Sequence, residues 1–377
     1  MSASNLIPVS ARSSTFRADI QGLRAIAIIL VIALHMNLAG FSAGFIGVDI
    51  FFVVSGYVIT LSMLKKIEQT FFRNLGNFWK SRFIRIFPAA ALVICITVVA
   101  AFFLSGKAFN PDLLDDARWA TFYASNFRLI FTGSNYFIAG LDQSLLTHYW
   151  ALALEQQFYL IYPLLVFSVM ALVRARLLVL RVVLIALVMG SSVFSIIQTQ
   201  LDPVASYYSP FTRFWELAFG ALLATFTIKP IKFLAWLGLV ILVVSMFILG
   251  PTSQYPGYLA WLPAIGTGLL LLFPLHFLAI TPLRYIGDIS YSLYLWHFIW
   301  LVLPTQIENP ITDYSWAFLL GAVICAVLTY HFYERPIHKS VSLKADGYSA
   351  LSLALICLLT SWLVIEIIEN LYLKTIL

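Results

Sequence analysis

The chain has 377 residues, 61% of them hydrophobic, 16% aromatic and only 11% charged, with a formal net charge of +6; its mean hydropathy is +0.92. Ordinary soluble domains carry about 25% charged residues, so most of this surface faces lipid, and a soluble enzyme, a disordered chain and a secreted disulfide scaffold are excluded. The three cysteines, Cys95, Cys325 and Cys357, sit in separate apolar runs without disulfide or metal-type spacing, and with no basic soluble face nucleic acid is not a partner.

A bilayer core takes about 20 apolar residues per helix. In chain order the hydropathy predicts spans near 25–41, 45–64, 86–104, 148–171, 178–197, 211–228, 233–250, 259–275, 287–305, 315–333 and 349–371. The eighth is the weakest, because Pro263 and Pro274 fall in it. No small-residue cleavage site follows the first apolar run, so it does not read as a signal peptide. With the N-terminus inside, the inner segments hold eighteen of the 23 Lys and Arg residues and the outer segments five, a decisive positive-inside asymmetry. The expected fold is therefore an all-α polytopic membrane protein of about eleven helices, N-terminus cytoplasmic and C-terminus extracytoplasmic. A cytoplasmic segment 1–24, a transmembrane body 25–371 and a short tail 372–377 complete the division. The one long connection, roughly 105–147, falls outside and carries Asp112, Asp115, Asp116 and Asp142. The halves share no internal repeat, which weakens a transporter reading.

Ionisable groups inside a span are expensive and therefore functional candidates. Arg24 and His35 stand eleven positions apart in the first span, about 16 Å of rise and about 20° of rotation on a helix, so they share a face. With the hairpin reversing near residue 41, His35 is expected level with Val48 and Asp49, close enough for the Asp49 carboxylate to orient the imidazole as a base. Gly40, Gly44 and Gly47 in the turn suit close helix approach. At the mouth of the third span, Arg82 and Arg85 are neighbours on a helix face. They read either as interfacial anchors or as a fork for phosphate oxygens.

Later spans add further candidates. Thr147 to Tyr159 opens the fourth span, placing His148, Trp150 and Glu155 at its outer end, where Glu155 either pairs with another span or contacts an acceptor. Arg213 and Glu216 in the sixth span read as a structural pair at three residues. The hydroxyls and His297 of the ninth span read as helix–helix glue, and Glu334 as an ion-pair partner within the bundle.

Three stretches, FRADIQGLRAIAIILVIALH, FIGVDIFFVVSGYVIT and FWKSRFIRIFP, together with HYWALALEQQFYLIYP, YIGDISYSLYLWH and YERP in the same order, resemble the acyltransferase-3 family of integral membrane O-acyltransferases across nearly the whole chain. The resemblance implies transfer of an acyl group, usually acetyl, from cytoplasmic acyl-CoA to hydroxyls of extracytoplasmic envelope glycans such as O-antigen or peptidoglycan, in a bacterial cytoplasmic membrane. It carries the family's basic residue and histidine onto Arg24 and His35, and its paired basic motif onto Arg82 and Arg85. Two departures stand out: Ala43-Gly44 where the family often has Gly-Gly, and Glu155-Gln156-Gln157 where it often has Glu-Glu-Gln. Some family members append a hydrolase-like domain after the last span, which this sequence is expected to lack.

On this reading acetyl-CoA is the donor co-substrate and no metal is required. Arg24, Arg82 and Arg85 bind its phosphates, His35 and Asp49 serve catalysis, and His148, Trp150 and Glu155 face the acceptor. Two other classes use intramembrane polar groups: a transporter or flippase of lipid-linked glycans, and a polytopic glycosyltransferase relying on Asp115 and Asp116.

Overall fold

The computed structural model describes residues 17–65, 70–136, 143–173, 175–229, 231–307, 311, 315–345 and 347–376. Of the expected segments, 1–16 of the N-terminal stretch and Asp142 of the long connection lie outside them. Every secondary-structure element among the described residues is helical.

In chain order the helices are α1 Ala18–His35, α2 Ile46–Leu64, α3 Phe71–Ser105, α4 Asp112–Thr121, α5 Ser125–Thr132, α6 Tyr149–Leu172, α7 Arg176–Leu201, α8 Pro203–Tyr208, α9 Pro210–Leu223, α10 Lys232–Ile248, α11 Trp261–Leu272, α12 Thr281–Val302, α13 Ser315–Thr329, α14 Arg335–Lys339, α15 Val341–Ala345 and α16 Gly347–Ile376. Each of the eleven apolar segments contains a helix. Eight helical spans among the described residues are long and apolar enough to cross a membrane, α13 counting together with its helical continuation through α14 to Lys339. The three that fall short are α9, with 14 residues, α10, with 17, and α11, with 12. In α11 the prolines act at the borders: Pro263 is the third helical residue, where a missing N–H costs little, and Pro274 lies just beyond the end.

Boundaries moved where local chemistry outweighed hydropathy. α1 starts at Ala18 rather than near 25, with Asp19 in its first turn, where a negative charge suits the positive helix end. It stops at His35, because Asn37 takes a left-handed φ of 52° and Leu38 N–H turns back to the Ala33 carbonyl at 3.0 Å, the pattern that closes a helix. α3 runs for 35 residues with Pro88 inside it, so Arg82 and Arg85 belong to the helix itself rather than to its approach. α8 and α9 are each started by a side-chain cap followed by proline: Asp202 accepts from Ala205 N–H at 2.9 Å, and Ser209 accepts from Phe211 N–H at 3.3 Å. The long connection is not a bare loop, since α4 and α5 fold within it.

The chain forms two compact units, Met1–Leu75 with Leu154–Ser290, and Gly76–Ala153 with Tyr291–Leu377. In the first, α2 packs against α1, α9 and α11, and α9 also packs against α7. Glycines let these backbones touch. A Cβ on Gly56 would lie 1.8 Å from the Leu217 carbonyl oxygen, and one on Gly220 would lie 1.9 Å from that of Val53, so α2 and α9 meet backbone to backbone. In the second unit, side chains reach across to main-chain carbonyls: Tyr149 Oη donates to Ala90 at 3.0 Å and Tyr291 Oη to Ile86 at 2.7 Å. Arg118 of α4 binds Glu366 at 3.1 Å and Glu369 at 2.5 Å on α16.

Candidate active site

Arg24 and His35 lie on one unbroken helix, α1, as the spacing required. Arg24 is half-buried and donates from Nη1 to Gln21 Oε1 at 3.0 Å. His35 is half-buried and is the last helical residue. At the other end of α1, Arg17 grips Asp19 with Nε at 2.8 Å and Nη2 at 2.6 Å, and Nη2 also donates to the Leu271 carbonyl at 2.9 Å. The sequence reading did not single out this clamp; the Arg-x-Asp spacing at a helix start was its only signal.

The hairpin register differs from the expected one. A Cβ on Gly44 would meet the Leu30 carbonyl oxygen at 2.1 Å, and one on Gly47 would meet that of Ala27 at 2.3 Å. The two glycines do bring the segments into contact, but they set Asp49 near the level of Ala25. Asp49 is thus roughly ten residues, or about 15 Å at 1.5 Å per residue, down the hairpin from His35. The reversal comes early because Asn37, not residue 41, turns the chain. That register removes the depth match on which direct orientation of His35 by Asp49 rested.

Asp49 instead belongs to a buried ion cluster. Arg213 Nη1 lies 3.2 Å from Asp49 Oδ1 and 2.9 Å from Glu216 Oε1, and all three side chains are wholly buried. The guanidinium lies within 5.4–5.6 Å of the ring centres of Tyr207, Phe52 and Tyr255, a cation–π cage. The expected Arg213–Glu216 pair is present, with a second carboxylate added. A few residues along α2 lies a second polar group: Glu155 accepts from Ser55 Oγ and, at 2.5 Å, from Tyr159 Oη. Glu155 is half-buried, so its carboxylate is held by hydroxyls rather than by a counter-charge. Nearby, Thr60 and Tyr162 hydroxyls meet at 2.8 Å.

The second unit carries the arginine pair. Arg82 and Arg85 are half-buried on α3, and the Arg82 guanidinium sits 5.4 Å from the Phe78 ring centre. Arg85, Lys344, Arg82 and Lys339 all lie within electrostatic range of His338. Lys80 Nζ donates to the Lys344 carbonyl at 3.0 Å. The segment after α13 therefore returns to the base of α3 and enlarges the expected pair into a basic cluster. The Lys and His residues of IHKSVSLK were the available signal, but more than two hundred residues separate them from Arg82 in the chain.

His148 and Trp150, the expected acceptor contacts, are packed inside the protein. They are 1% and 0% exposed. His148 Nε2 donates to the Leu295 carbonyl at 3.2 Å, and Trp150 stands edge-on to Tyr136. The ninth-span hydroxyls are glue as expected: Tyr294 Oη donates to the His148 carbonyl at 2.6 Å, and Ser292 Oγ to Glu334 Oε2 at 2.6 Å.

Comparison with known proteins adds the following. A family described as an acyltransferase domain matches residues 17–334. The chain is 34% identical over 358 residues to the peptidoglycan O-acetyltransferase OatA of Listeria monocytogenes, covering 87% of this chain and 57% of that protein. It is 32% identical over 357 residues to the O-acetyltransferase OatA of Staphylococcus aureus, covering 87% of this chain and 58% of that protein. The chain thus spans somewhat over half the length of these curated relatives. No solved structure matches it.

Proposed function

Because the chain belongs to the acyltransferase family over residues 17–334, we propose that it is a membrane-bound O-acetyltransferase that moves acetyl from cytoplasmic acetyl-CoA to a hydroxyl of an extracytoplasmic cell-envelope polysaccharide, in a bacterial cytoplasmic membrane. The observation that carries this reading is α1 itself, one continuous helix that aligns Arg24 with a half-buried His35 at its end. The relatives are named for peptidoglycan or for O-acetyl transfer, which makes peptidoglycan the first acceptor to test and O-antigen the second.

His35 serves as general base. An imidazole nitrogen takes the proton of the acceptor hydroxyl, and the oxygen attacks the thioester carbonyl. The C–S bond breaks, and the proton passes to the departing thiolate. In the two-step variant the imidazole nitrogen itself takes the acetyl group, releasing the thiolate, and then yields it to the acceptor oxygen. The basic cluster of Arg82, Arg85, Lys339 and Lys344 binds the donor phosphates, for which arginine forks are suited, and Arg24 adds a further donor contact. Glu155, held by two hydroxyls, is the acceptor contact in this scheme. The carboxylates a glycosyltransferase would use are already engaged, Asp115 by Arg118 at 2.9 Å and Asp116 by Arg128 at 3.0 Å.

The test is transfer of labelled acetyl from acetyl-CoA to peptidoglycan glycan and to O-antigen polysaccharide by the purified chain in nanodiscs. Label that stays in the donor with both acceptors refutes the proposal. Label trapped on protein when acceptor is omitted selects the two-step variant. Replacing both Arg82 and Arg85 with Ala is expected to raise the donor KM about tenfold or more, and an unchanged donor KM would remove the phosphate assignment.

A further inference from the structure

The second unit contains a cavity of about 750 Å³, inside the range of roughly 300–1,000 Å³ typical of small-molecule sites. It opens among α4, α5, the segment before α6 and the turn after α12, at the helix ends that the charge asymmetry assigns to the outside. Its lining includes Asp116, Arg128, Asn135, Gln143, Ser144 and Gln306. Side chains of the amide and hydroxyl types both donate and accept, which suits ligands whose groups are themselves alcohols or amides. Leu113 and Leu129 supply apolar wall, as the C–H face of a sugar ring requires.

Charge narrows the ligand class. Among the described residues the only basic lining side chain, Arg128, is paired through Nε with Asp116 at 3.0 Å, and Asp112 adds another carboxylate. A phosphate or nucleotide would meet net negative charge here, whereas a neutral glycan would not. The rim is also fixed in place. Gln306 Nε2 donates to the Gln143 carbonyl at 2.7 Å, tying the turn after α12 to the segment before α6. Burial pushes the Asp116 carboxyl up, against hydrogen bonds from Ser144 and Arg128.

We propose that this cavity is the subsite that binds a short neutral stretch of the glycan acceptor, with Arg128, Asn135 and Gln306 among its hydrogen-bonding residues; the assignment rests on the acetyltransferase reading above. The experiment measures binding of tetra-N-acetylchitotetraose and maltotetraose to the whole chain in nanodiscs without donor. It then maps a photo-crosslinking derivative of the tighter ligand by mass spectrometry. The expected result is saturable binding of at least one tetrasaccharide, with crosslinks within residues 105–145 or 303–307. Ser134→Trp, which fills the cavity, and Gln306→Ala, which removes one rim amide, should each weaken binding about tenfold or more. Absence of saturable binding by both sugars, crosslinks confined to other segments, or affinities within twofold of wild type in both variants would overturn the subsite. Acetyl transfer by the wild-type chain is scored separately. Transfer with unaltered acceptor KM in both variants sinks the cavity and spares the enzyme reading, whereas binding and crosslinking without any transfer do the reverse.

Discussion

At the residue scale the proposed chemistry concentrates on His35. It ends α1 half-buried, and in the proposed reaction it takes the acceptor proton. His35→Ala is expected to lower acetyl transfer by at least about a hundredfold, the usual contribution of a positioned base, while leaving the thermal melt in detergent unchanged. Transfer at the wild-type rate would end the assignment. The Asp49–Arg213–Glu216 cluster predicts an opposite split between fold and activity. Two carboxylates share one guanidinium nitrogen in full burial, so Arg213→Met strands both charges and is expected to destabilise by about 3–5 kcal/mol. Glu216→Gln leaves a one-to-one pair and relieves like-charge repulsion, so its cost should be a small fraction of that. Chemical unfolding in detergent checks the ordering, and equal losses for the two variants would contradict the shared-nitrogen geometry.

At the element scale, the glycines of α2 and α9 decide how the first unit closes. Gly56 and Gly220 face backbone oxygens that a methyl group cannot displace without separating the helices. Gly56→Ala is therefore expected to cost about 3 kcal/mol or more, at or beyond the upper end of ordinary overpacking. Gly190 in α7 has open space where its Cβ would go. Gly190→Ala should leave the fold intact and stabilise it by up to about 1 kcal/mol through helix propensity alone. Paired melting curves of the two variants test this contrast, and a neutral Gly56→Ala would show that the α2–α9 contact yields. The same backbone logic explains why the first hairpin was misjudged in register. Glycines in the turn were visible as spacing, but the left-handed Asn37 that sets the reversal has no hydropathy signature.

At the scale of the whole molecule, apolar runs revealed the helices because lipid demands them, and α1 preserved the Arg24–His35 face because helical spacing is local. Contacts between distant segments were not legible. Arg213 meets Asp49 across 164 positions, and Lys339 and Lys344 join Arg82 and Arg85 only through the path of the folded chain. Hydropathy also overstated α9, α10 and α11, whose apolar segments outlast their helices. Orientation rests on the charge asymmetry, and it is testable apart from any activity. With eighteen of the 23 Lys and Arg residues on one side, the segment around Lys344 should face the cytoplasm and the α4 segment the exterior. Single cysteines placed at Asp112 and at Lys344, both exposed, in a chain freed of Cys95, Cys325 and Cys357, would report this through a membrane-impermeant maleimide. Labelling at position 112 in intact cells and at 344 only after permeabilisation is the expected pattern. The reverse pattern would put the basic cluster on the side without acetyl-CoA and would remove the donor role proposed for Arg82 and Arg85.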